Sequence, residues 1–453
     1  MEYQPTIGLE IHAELATASK MFCACRNNPD EKEPNRNVCP ICLAHPGTLP
    51  TLNREAIRQV LRVGLAVGGT LADLTEWDRK NYFYPDIPKG YQISQYAHPL
   101  VTGGELNGVK LTRLHLEEDT ATSKHDRSDE HSLVDFNRAG VPLLELVTEP
   151  VIKSAKAAGD FARELQLLLR YLGASGANME KGELRVEANI SIAPAVSSSA
   201  LGTKVEVKNL NSFRAVERAI EYELARQRAL LEKGEAVTQE TRGWDEVKQE
   251  TFSQRQKESS HDYRYFPDPD LPKLRLSQIP EFQNLESSLP ELPWQKRERL
   301  AKLGFLQKQD IEQLVGDLTL ADFFDRAEAE LKEPELIKIA ANIILNDIAG
   351  KRKKEADWLP ELNYFVETIR RRLPLPQTRN SILSGAVAAV AAAESLPDLV
   401  DEVIAAHPAV VADFRAGKQA ALQFLVGQGM KASRGAANPE ILQKLLTEKL
   451  RSA

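Results

Sequence analysis

The sequence predicts an α+β protein in which a strand-rich N-terminal part is followed by helices. Over residues 1–290, apolar and polar residues alternate in several short segments, as they do along half-buried strands. Glycine, proline and asparagine separate these segments, and two amphipathic helical patterns interrupt them. After the proline-rich stretch 267–293 the patterns are helical, and Pro374 and Pro376 indicate a break near residue 375. The predicted domains therefore span 1–290, 291–377 and 378–453.

Composition narrows the class of protein. The chain has 453 residues, of which 42% are hydrophobic and 27% are charged, so a core of ordinary size forms without disulfides. No window approaches the roughly 20 apolar residues of a membrane span. The first six residues lack the basic and apolar regions of a secretory signal. We therefore expect a cytoplasmic protein.

The first predicted strand covers Thr6–Leu15. Alternate residues of a strand share a face, so its apolar residues point to the core while Glu10, His12 and Glu14 point to the other side. Two carboxylates that flank an imidazole form a surface suited to a cation. An antiparallel strand with a solvated outer face has the same pattern, so this segment alone leaves both interpretations open.

All four cysteines lie in the next segment, as Cys23-Ala-Cys25 and Cys39-Pro-Ile-Cys42. The loop between the pairs is rich in asparagine, proline and charge, so four thiolates around tetrahedral zinc would hold it in place of a core. A Cys-x-x-Cys pair also occurs at redox sites, but the strand–helix context of such a site is missing around Cys39. We predict a structural zinc site.

Two later segments place carboxylates beside apolar residues. The segment Leu114–Asp119 ends in three consecutive acids, which face either a cation or the water around a polar loop. Glu145 lies in the apolar run Leu143–Val147, where burying a carboxylate is costly unless it is paired or bound to metal. Arg138 is an alternative, purely structural partner for Glu145.

Two amphipathic helices are predicted in the N-terminal part. The first runs from an N-cap at Ser154 to Leu172 and is followed by Gly173, a residue typical of helix C-termini. The second runs from Ser212 to Lys233 before Gly234, and its exposed face is heavily charged.

Two predicted strands, Arg185–Ile192 and Thr203–Lys208, each carry polar residues on one face. If the strands pair, these residues share one charged surface; they are Arg185, Glu187, Asn189, Ser191, Lys204, Glu206 and Lys208. Such a surface suits a phosphate-bearing ligand and its metal, and the loop 209–212 leads to a helix N-terminus that can bind an anion. A solvated sheet edge remains the alternative.

Positive charge is concentrated near the C terminus, although the net charge of the chain is −7. From Arg415 to the end there are seven Lys or Arg residues against two Glu, and further basic clusters lie at 351–354 and 370–372. Each cluster alone is compatible with a solvated helix face, whereas three together favour local contacts with nucleic acid. A zinc-containing RNA-binding module without catalysis is therefore an alternative, but it leaves the acidic strand faces unexplained.

Taken together, these segments closely resemble the B subunits of the tRNA-dependent amidotransferases, the GatB family. The resemblance runs nearly the whole length, in the family's order. Its marks are IGLEIHAEL (7–15), DRKNYFYPDIPKGYQISQ (78–95), LHLEED (114–119), VDFNRAGVPLLELV (134–147), LRVEANISI (184–192), TKVEVKNLNSF (203–213), SHDYRYFPDPDL (260–271) and FLVGQGMKASRGAANP (424–439).

The resemblance implies an architecture and an activity. The N-terminal domain would be a cradle with a large antiparallel sheet, followed by a helical domain and a tail domain that meets tRNA. The cradle would use ATP and Mg²⁺ to phosphorylate the side-chain carboxylate of Glu or Asp misacylated onto tRNA(Gln) or tRNA(Asn), and ammonia would displace the phosphate. An amidase-type glutaminase, the family's A subunit, would supply the ammonia in a heterotrimer with a small C subunit, since the sequence has no amidase-type Gly-Ser-Ser run. A self-sufficient ligase that uses free ammonia is the remaining alternative.

The resemblance also assigns residues. The catalytic Mg²⁺ ligands fall on His12, Glu118 and Glu145, and Glu10 and Glu187 belong to a nearby second cation or nucleotide site. Glu187 stands where the family usually has Asp, so a direct ligand role does not carry over from the match. The four cysteines match the zinc-bearing members. On the charged surface, the residues expected to bind the nucleotide are Asn189, Lys204, Glu206 and Lys208. In the basic tail, the residues expected to contact tRNA phosphates are Lys418, Lys431 and Arg434.

Overall fold

The protein forms two compact units, 1–293 and 294–453, in a computed structural model. The structure describes residues 2–124, 131–194, 201–256, 263–384, 396–415, 418–432 and 439–452. Within these ranges the N-terminal unit contains all the strands and the C-terminal unit contains helices, which confirms the predicted α+β class. None of the described helices is long and apolar enough to cross a membrane. The predicted division of the helical part at residue 377 stays a prediction.

Strands of the N-terminal unit make up one large sheet and three small ones. In chain order they are β1 Tyr3–Glu14, β2 Thr70–Leu71, β3 Leu74–Thr75, β4 Asp78–Asn81, β5 Tyr91–Ser94, β6 Val101–Thr102, β7 Glu105–Leu106, β8 Val109–Glu118, β9 Thr122–Lys124, β10 Leu133–Asp135, β11 Pro142–Thr148, β12 Leu184–Pro194, β13 Val205–Leu210, β14 Glu240–Asp245, β15 Glu250–Gln256, β16 Phe266–Pro267 and β17 Leu274–Arg275. The large sheet has the order β15-β14-β13-β12-β1-β11-β8-β6-β2, with β7 paired to β8. It is antiparallel except for the β13–β14 pair, so the expectation of an antiparallel sheet needs this one correction.

Helices agree well with the sequence patterns where local signals mark their ends. In chain order they are α1 Arg54–Ala66, α2 Ala155–Tyr171, α3 Phe213–Glu232, α4 Pro293–Ala301, α5 Lys308–Gly316, α6 Leu318–Leu331, α7 Pro334–Ile343, α8 Ala349–Arg352, α9 Leu362–Arg370, α10 Leu375–Leu383, α11 Leu396–Ala406, α12 Pro408–Arg415, α13 Gln419–Ala432 and α14 Pro439–Ser452. Ser154 and Ser212 cap α2 and α3, because their hydroxyl oxygens accept hydrogen bonds from the amides of Ala157 (3.2 Å) and Ala215 (3.0 Å). Gly173 and Gly234 follow with positive φ, as predicted for C-termini.

The central strand β1 has one apolar and one polar face, as its alternation predicts. Ile7, Leu9 and Ile11 are buried, and helices α1 and α3 pack against the sheet. The strand lies between β11 and β12, and the register places His12 opposite both Glu145 and Arg185. Because directly opposed residues of antiparallel strands share a face, the sheet gathers charged side chains on one side.

The C-terminal unit is built on helix packing. In its first half the Phe323 ring of α6 meets the Phe365 ring of α9 edge to face, with centroids 5.0 Å apart. In its second half Val400, Leu425 and Leu442 belong to a buried apolar cluster formed by α11, α13 and α14. The helical periodicity read from residues 294 onward therefore corresponds to buried helix faces.

Candidate active site

An open cleft of about 650 Å³ lies on the polar face of the large sheet. This volume is within the range of small-molecule sites. Strands β1, β12 and β13 contribute charged residues to it, and the segment from Lys80 to Gln92 contributes a tyrosine-rich wall. The lining residues that matter below are Glu10, His12, Lys80, Tyr82, Tyr84, Glu117, Arg185, Glu187, Lys208 and Tyr263.

Two imidazoles and two carboxylates from three neighbouring strands meet at the cleft. His12 Nε2 on β1 lies 3.3 Å from Glu145 Oε2 on β11 and 3.7 Å from Glu117 Oε1 on β8. His115 Nε2, also on β8, lies 3.2 Å from Glu145 Oε2. The strand order explains the meeting, because β11 runs between β1 and β8 with Glu145 opposite both histidines. We call these four residues the central cluster.

Charges and hydrogen bonds within the central cluster outweigh burial in setting the pKa values of Glu145 and His12. Burial by itself would raise the pKa of Glu145, but His115 and His12 hold it well below its usual value. Burial would lower the pKa of His12, but the hydrogen bond and charge of Glu145, with the charges of Glu117 and Glu10, raise it to about 9. Glu145 is therefore held in its ionised form, which is the form that binds a cation.

The donor atoms of the central cluster fit an oxygen-preferring divalent cation. Donor atoms of His115, Glu117 and Glu145 lie within 4.8 Å of one another, and so do those of Glu10, His12 and Glu145. Glu117 Oε2 is buried and has no hydrogen-bond partner in the described part of the chain, so a cation would satisfy it. Mg²⁺ prefers carboxylate and water oxygens, so a contact through water suits the imidazole of His12.

Glu118, the carboxylate assigned to this cation by the resemblance, lies outside the central cluster. Neighbouring residues of a strand point to opposite faces, so Glu117 joins the cluster and Glu118 does not. Glu118 Oε1 accepts a hydrogen bond from the amide of Ile93 (2.9 Å) and lies 2.7 Å from Lys89 Nζ. The structure thus brings together His12 and Glu145 of the predicted set, and Glu117 takes the third position beside them.

A second group of acids lies beside the central cluster. The predicted pairing of the two polar strands is confirmed, since β12 pairs with β13 and Asn189 lies opposite Glu206. Carboxylate oxygens of Glu10, Glu187 and Glu206 lie within 4.8 Å of one another, and Lys208 Nζ is 2.8 Å from Glu187 Oε2.

This second group combines three acids with one lysine. Burial, followed by the charges of Glu145 and Glu187, raises the pKa of Glu10 to about 7. The Lys208 ammonium lies among the acids, 4.0 Å from Glu206 Oε2, so the group already contains one positive charge. Lys204, predicted for the same surface, is exposed just before β13.

Arg138 does not pair with Glu145, which was the structural alternative for that carboxylate. Arg138 Nε lies 3.7 Å from Asp119 Oδ2, and Arg185 donates a hydrogen bond of 2.8 Å to the same oxygen. Asp119 thereby fixes Arg185 where its guanidinium lines the cleft. Glu14 has its pKa raised to about 8 by burial and by the charge of Asp119.

Sequence analysis missed three residues of the site. His115 and Glu117 alternate with Leu114 and Leu116, so the same period of two that marked β1 could have found them. Lys80 is the third: burial lowers its pKa, but Glu117 and Tyr265 outweigh burial and raise it well above its usual value. No local pattern distinguishes Lys80, because its acidic neighbours come from distant parts of the sequence.

The four cysteines converge as predicted and form no disulfide. Sγ of Cys42 lies 3.6 Å from that of Cys23, 3.8 Å from Cys39 and 3.9 Å from Cys25. Four sulfurs at 2.3 Å from a tetrahedral zinc ion would be about 3.8 Å apart, so the spacing fits zinc. The buried Lys20 ammonium lies 3.7 Å from Cys42 Sγ and would offset part of the thiolate charge.

The predicted tail residues are only partly covered by the structure. Lys418 is exposed, and its ammonium lies 2.8 Å from Asp413 Oδ1. The side chain of Lys431 and the whole of Arg434 lie outside the described residues. The helical hairpin α13–α14 is close-packed at Gly429, where an added Cβ would lie 3.0 Å from a methyl carbon of Leu442.

Known proteins are similar to this chain over nearly its whole length. Residues 5–280 match the model of the GatB/GatE catalytic domain, and residues 384–450 match the model called GatB domain. Relatives named as the B subunit of aspartyl/glutamyl-tRNA(Asn/Gln) amidotransferase include one from Persephonella marina, 42% identical with both chains fully covered, and one from Picosynechococcus sp., 41% identical over 99% of this chain and 98% of the relative. The B subunit of a glutamyl-tRNA(Gln) amidotransferase from Oryza sativa subsp. japonica is 41% identical over 99% of this chain and 88% of its own. The chain therefore belongs to the GatB family of tRNA amidotransferase B subunits.

Proposed function

We propose that this chain carries out the ATP-dependent amidation step on Glu-tRNA(Gln), Asp-tRNA(Asn) or both. The observation that carries the proposal is the cleft itself, in which the central cluster lies beside basic side chains on one sheet face. A cation-binding acidic group next to phosphate-binding cations suits phosphoryl transfer. The names of the full-length relatives support the same substrates.

The chemistry requires activation of a carboxylate. Hydroxide is a poor leaving group, so the side-chain carboxylate of the amino acid must first become an acyl phosphate, from which ammonia displaces phosphate. His12, Glu117 and Glu145 would hold Mg²⁺, which supplies charge neutralisation for the phosphates when bound. Arg185 and Lys208 line the cleft where they can orient phosphate oxygens, and Asp119 keeps Arg185 in place.

Ammonia would come from a separate glutaminase, the A subunit, while a small C subunit would complete a heterotrimer. The sequence lacks an amidase-type Gly-Ser-Ser run, and its four cysteines meet in one cluster, so neither feature offers a glutaminase nucleophile in this chain. The zinc bound by that cluster would be structural, because four protein ligands leave no open position.

Incubation of the chain with Glu-tRNA(Gln) and ATP tests the proposal, with and without glutamine and its glutaminase partner. We expect ADP release that depends on the charged tRNA in both cases, and amide formation only with glutaminase or added ammonia. A non-catalytic RNA-binding module would bind tRNA without releasing ADP. Amide formation from glutamine by the isolated chain would overturn the assignment of ammonia production to a partner.

A further inference from the structure

Five tyrosine rings form a continuous series that begins in the wall of the cleft. Tyr84 meets Tyr82 with ring centroids 6.0 Å apart, and Tyr82 meets Tyr263 at 5.9 Å. Tyr263 meets Tyr265 at 6.1 Å, and Tyr265 stacks on Tyr96 at 4.5 Å. We call these five residues the tyrosine track. They come from two segments nearly 170 positions apart, so only the fold brings them together.

The tyrosine track connects the cleft with the protein surface. Tyr82, Tyr84 and Tyr263 line the cleft at one end. At the other end the planes of Tyr96 and Tyr265 differ by only 12°, and 51% of Tyr96 is exposed to solvent. An exposed ring on top of a parallel stack offers a flat π surface that a further ring can extend.

The track is held by specific contacts. Asp78 Oδ2 accepts a hydrogen bond of 2.8 Å from the amide of Tyr96. Asn81 Nδ2 donates to the carbonyl oxygens of Tyr263 (3.2 Å) and Arg264 (2.8 Å), which ties the second segment to strand β4. These bonds hold the backbone of both segments beside the rings, which reduces the entropic cost of ordering the track on binding.

Cationic side chains accompany the rings. Lys80 Nζ lies 5.1 Å from the centroid of the Tyr263 ring and 6.0 Å from that of Tyr82. The Arg79 guanidinium lies 5.8 Å from the centroid of Phe266, a residue that is 45% exposed. Aromatic faces interleaved with cations are the combination by which proteins bind single-stranded nucleic acid.

We propose that the tyrosine track binds the unpaired 3′-terminal nucleotides of the aminoacyl-tRNA by stacking their bases. The inference rests on the proposed function, because the amino acid is carried on the 3′ end and must reach the central cluster. Bases in a duplex hide their faces, whereas unpaired bases offer them for stacking on aromatic side chains. Because the track leads from the exposed Tyr96 into the cleft, it guides the strand that carries the amino acid.

The test uses the full-length chain in complex with its partner subunits, and it replaces Tyr96 and Tyr265, alone and together, by Leu. The matched controls Tyr96→Phe and Tyr265→Phe keep the ring and remove the hydroxyl. The probes are tRNA(Gln) with 2-aminopurine at its 3′-terminal adenosine, whose fluorescence is quenched by stacking, and the same tRNA without its unpaired 3′ nucleotides. Thermal unfolding checks that every variant is folded.

We expect the Phe variants to quench the probe like the unmodified protein. The double Leu variant should quench it little and bind the intact tRNA about tenfold more weakly, since base–aromatic stacking contributes about 1–3 kcal/mol per base. All variants should bind the shortened tRNA equally. Unchanged quenching by the double Leu variant overturns the proposal, and so does equal weakening for both tRNAs, which would indicate a protein-contacting surface.

The proposed function is separable from this result. ADP release that depends on charged tRNA reports catalysis, whereas quenching of the probe reports stacking on the track. If the double Leu variant keeps that ADP release while its quenching is unchanged, the track proposal fails and the function stands. If the unmodified protein quenches the probe but releases no ADP, the function fails instead.

Discussion

At the scale of single residues, the period of two along β8 decides which acid joins the central cluster. Glu117 lies 3.7 Å from His12 Nε2, whereas the adjacent Glu118 pairs with Lys89. We predict that Glu117→Gln lowers Mn²⁺ or Mg²⁺ affinity by about tenfold or more, because it removes one charge from the donor set. Titration calorimetry on the purified chain measures the effect.

Glu118→Gln is the matched control, since it makes the same chemical change one residue away. We expect metal affinity within about twofold of the unmodified protein and a lower unfolding midpoint, because the partly buried Lys89 loses its partner. The opposite pattern, with affinity lost in Glu118→Gln and kept in Glu117→Gln, would return the ligand role to Glu118.

The cysteine cluster gives the second prediction at this scale. Cys39→Ser should lower the zinc content from one ion per chain to near zero, because serine is a poor zinc ligand. The loop 26–38, which the cluster closes, should then become sensitive to protease. Metal analysis and limited proteolysis measure the two effects. A freshly purified, unmodified protein that holds no zinc and resists protease would contradict a structural metal.

At the scale of elements, helix α3 supports the strands that carry the second acidic group. Ser212 caps this helix through its hydrogen bond with the amide of Ala215, shortly after Asn209 of β13, which has a left-handed conformation. We predict that Ser212→Ala lowers the free energy of unfolding by about 1 kcal/mol. Ser212→Asp should keep most of this stability, because aspartate is an equally good N-cap. Urea denaturation measures both, and equal losses would argue against a capping role.

Elements with local end signals were predictable, and short strands were not. The serine caps and following glycines gave both ends of α2 and α3 to within two residues. By contrast β2, β6 and β7 contain two residues each, too few to establish an alternation. The parallel pairing of β13 with β14 also left no sequence signal, since it depends on where α3 returns the chain.

At the scale of the whole molecule, charge is distributed unevenly between the two units. The chain is acidic overall, while its last segment is basic, so tRNA contact by the tail would be electrostatic and sensitive to salt. We predict that replacing Lys418, Lys431 and Arg434 by Gln weakens tRNA binding. Each lost phosphate contact should flatten the log–log salt dependence by about 0.7 to 0.9.

Lys156→Gln provides the comparison, because this exposed lysine of α2 lies in the other unit and pairs with Asp160. It should leave the affinity and the salt slope for tRNA unchanged. Filter binding over a range of salt concentrations measures both quantities. An unaltered slope in the triple variant would exclude these three cations from the tRNA contact, and ATP and metal binding should be unaffected in either variant.

The sequence by itself determined the helices with clear end signals, the polar face of β1, the convergence of the four cysteines and the family. These depend on spacing within short segments, where periodicity and ligand geometry act locally. Only the tertiary structure decided that Glu117 joins His12 and Glu145, that Lys208 lies among the second group of acids, and that Tyr96 stacks on Tyr265. The physical reason is that strand order joins residues more than 100 positions apart. No local pattern encodes that order, because it depends on how the helices and strands pack together.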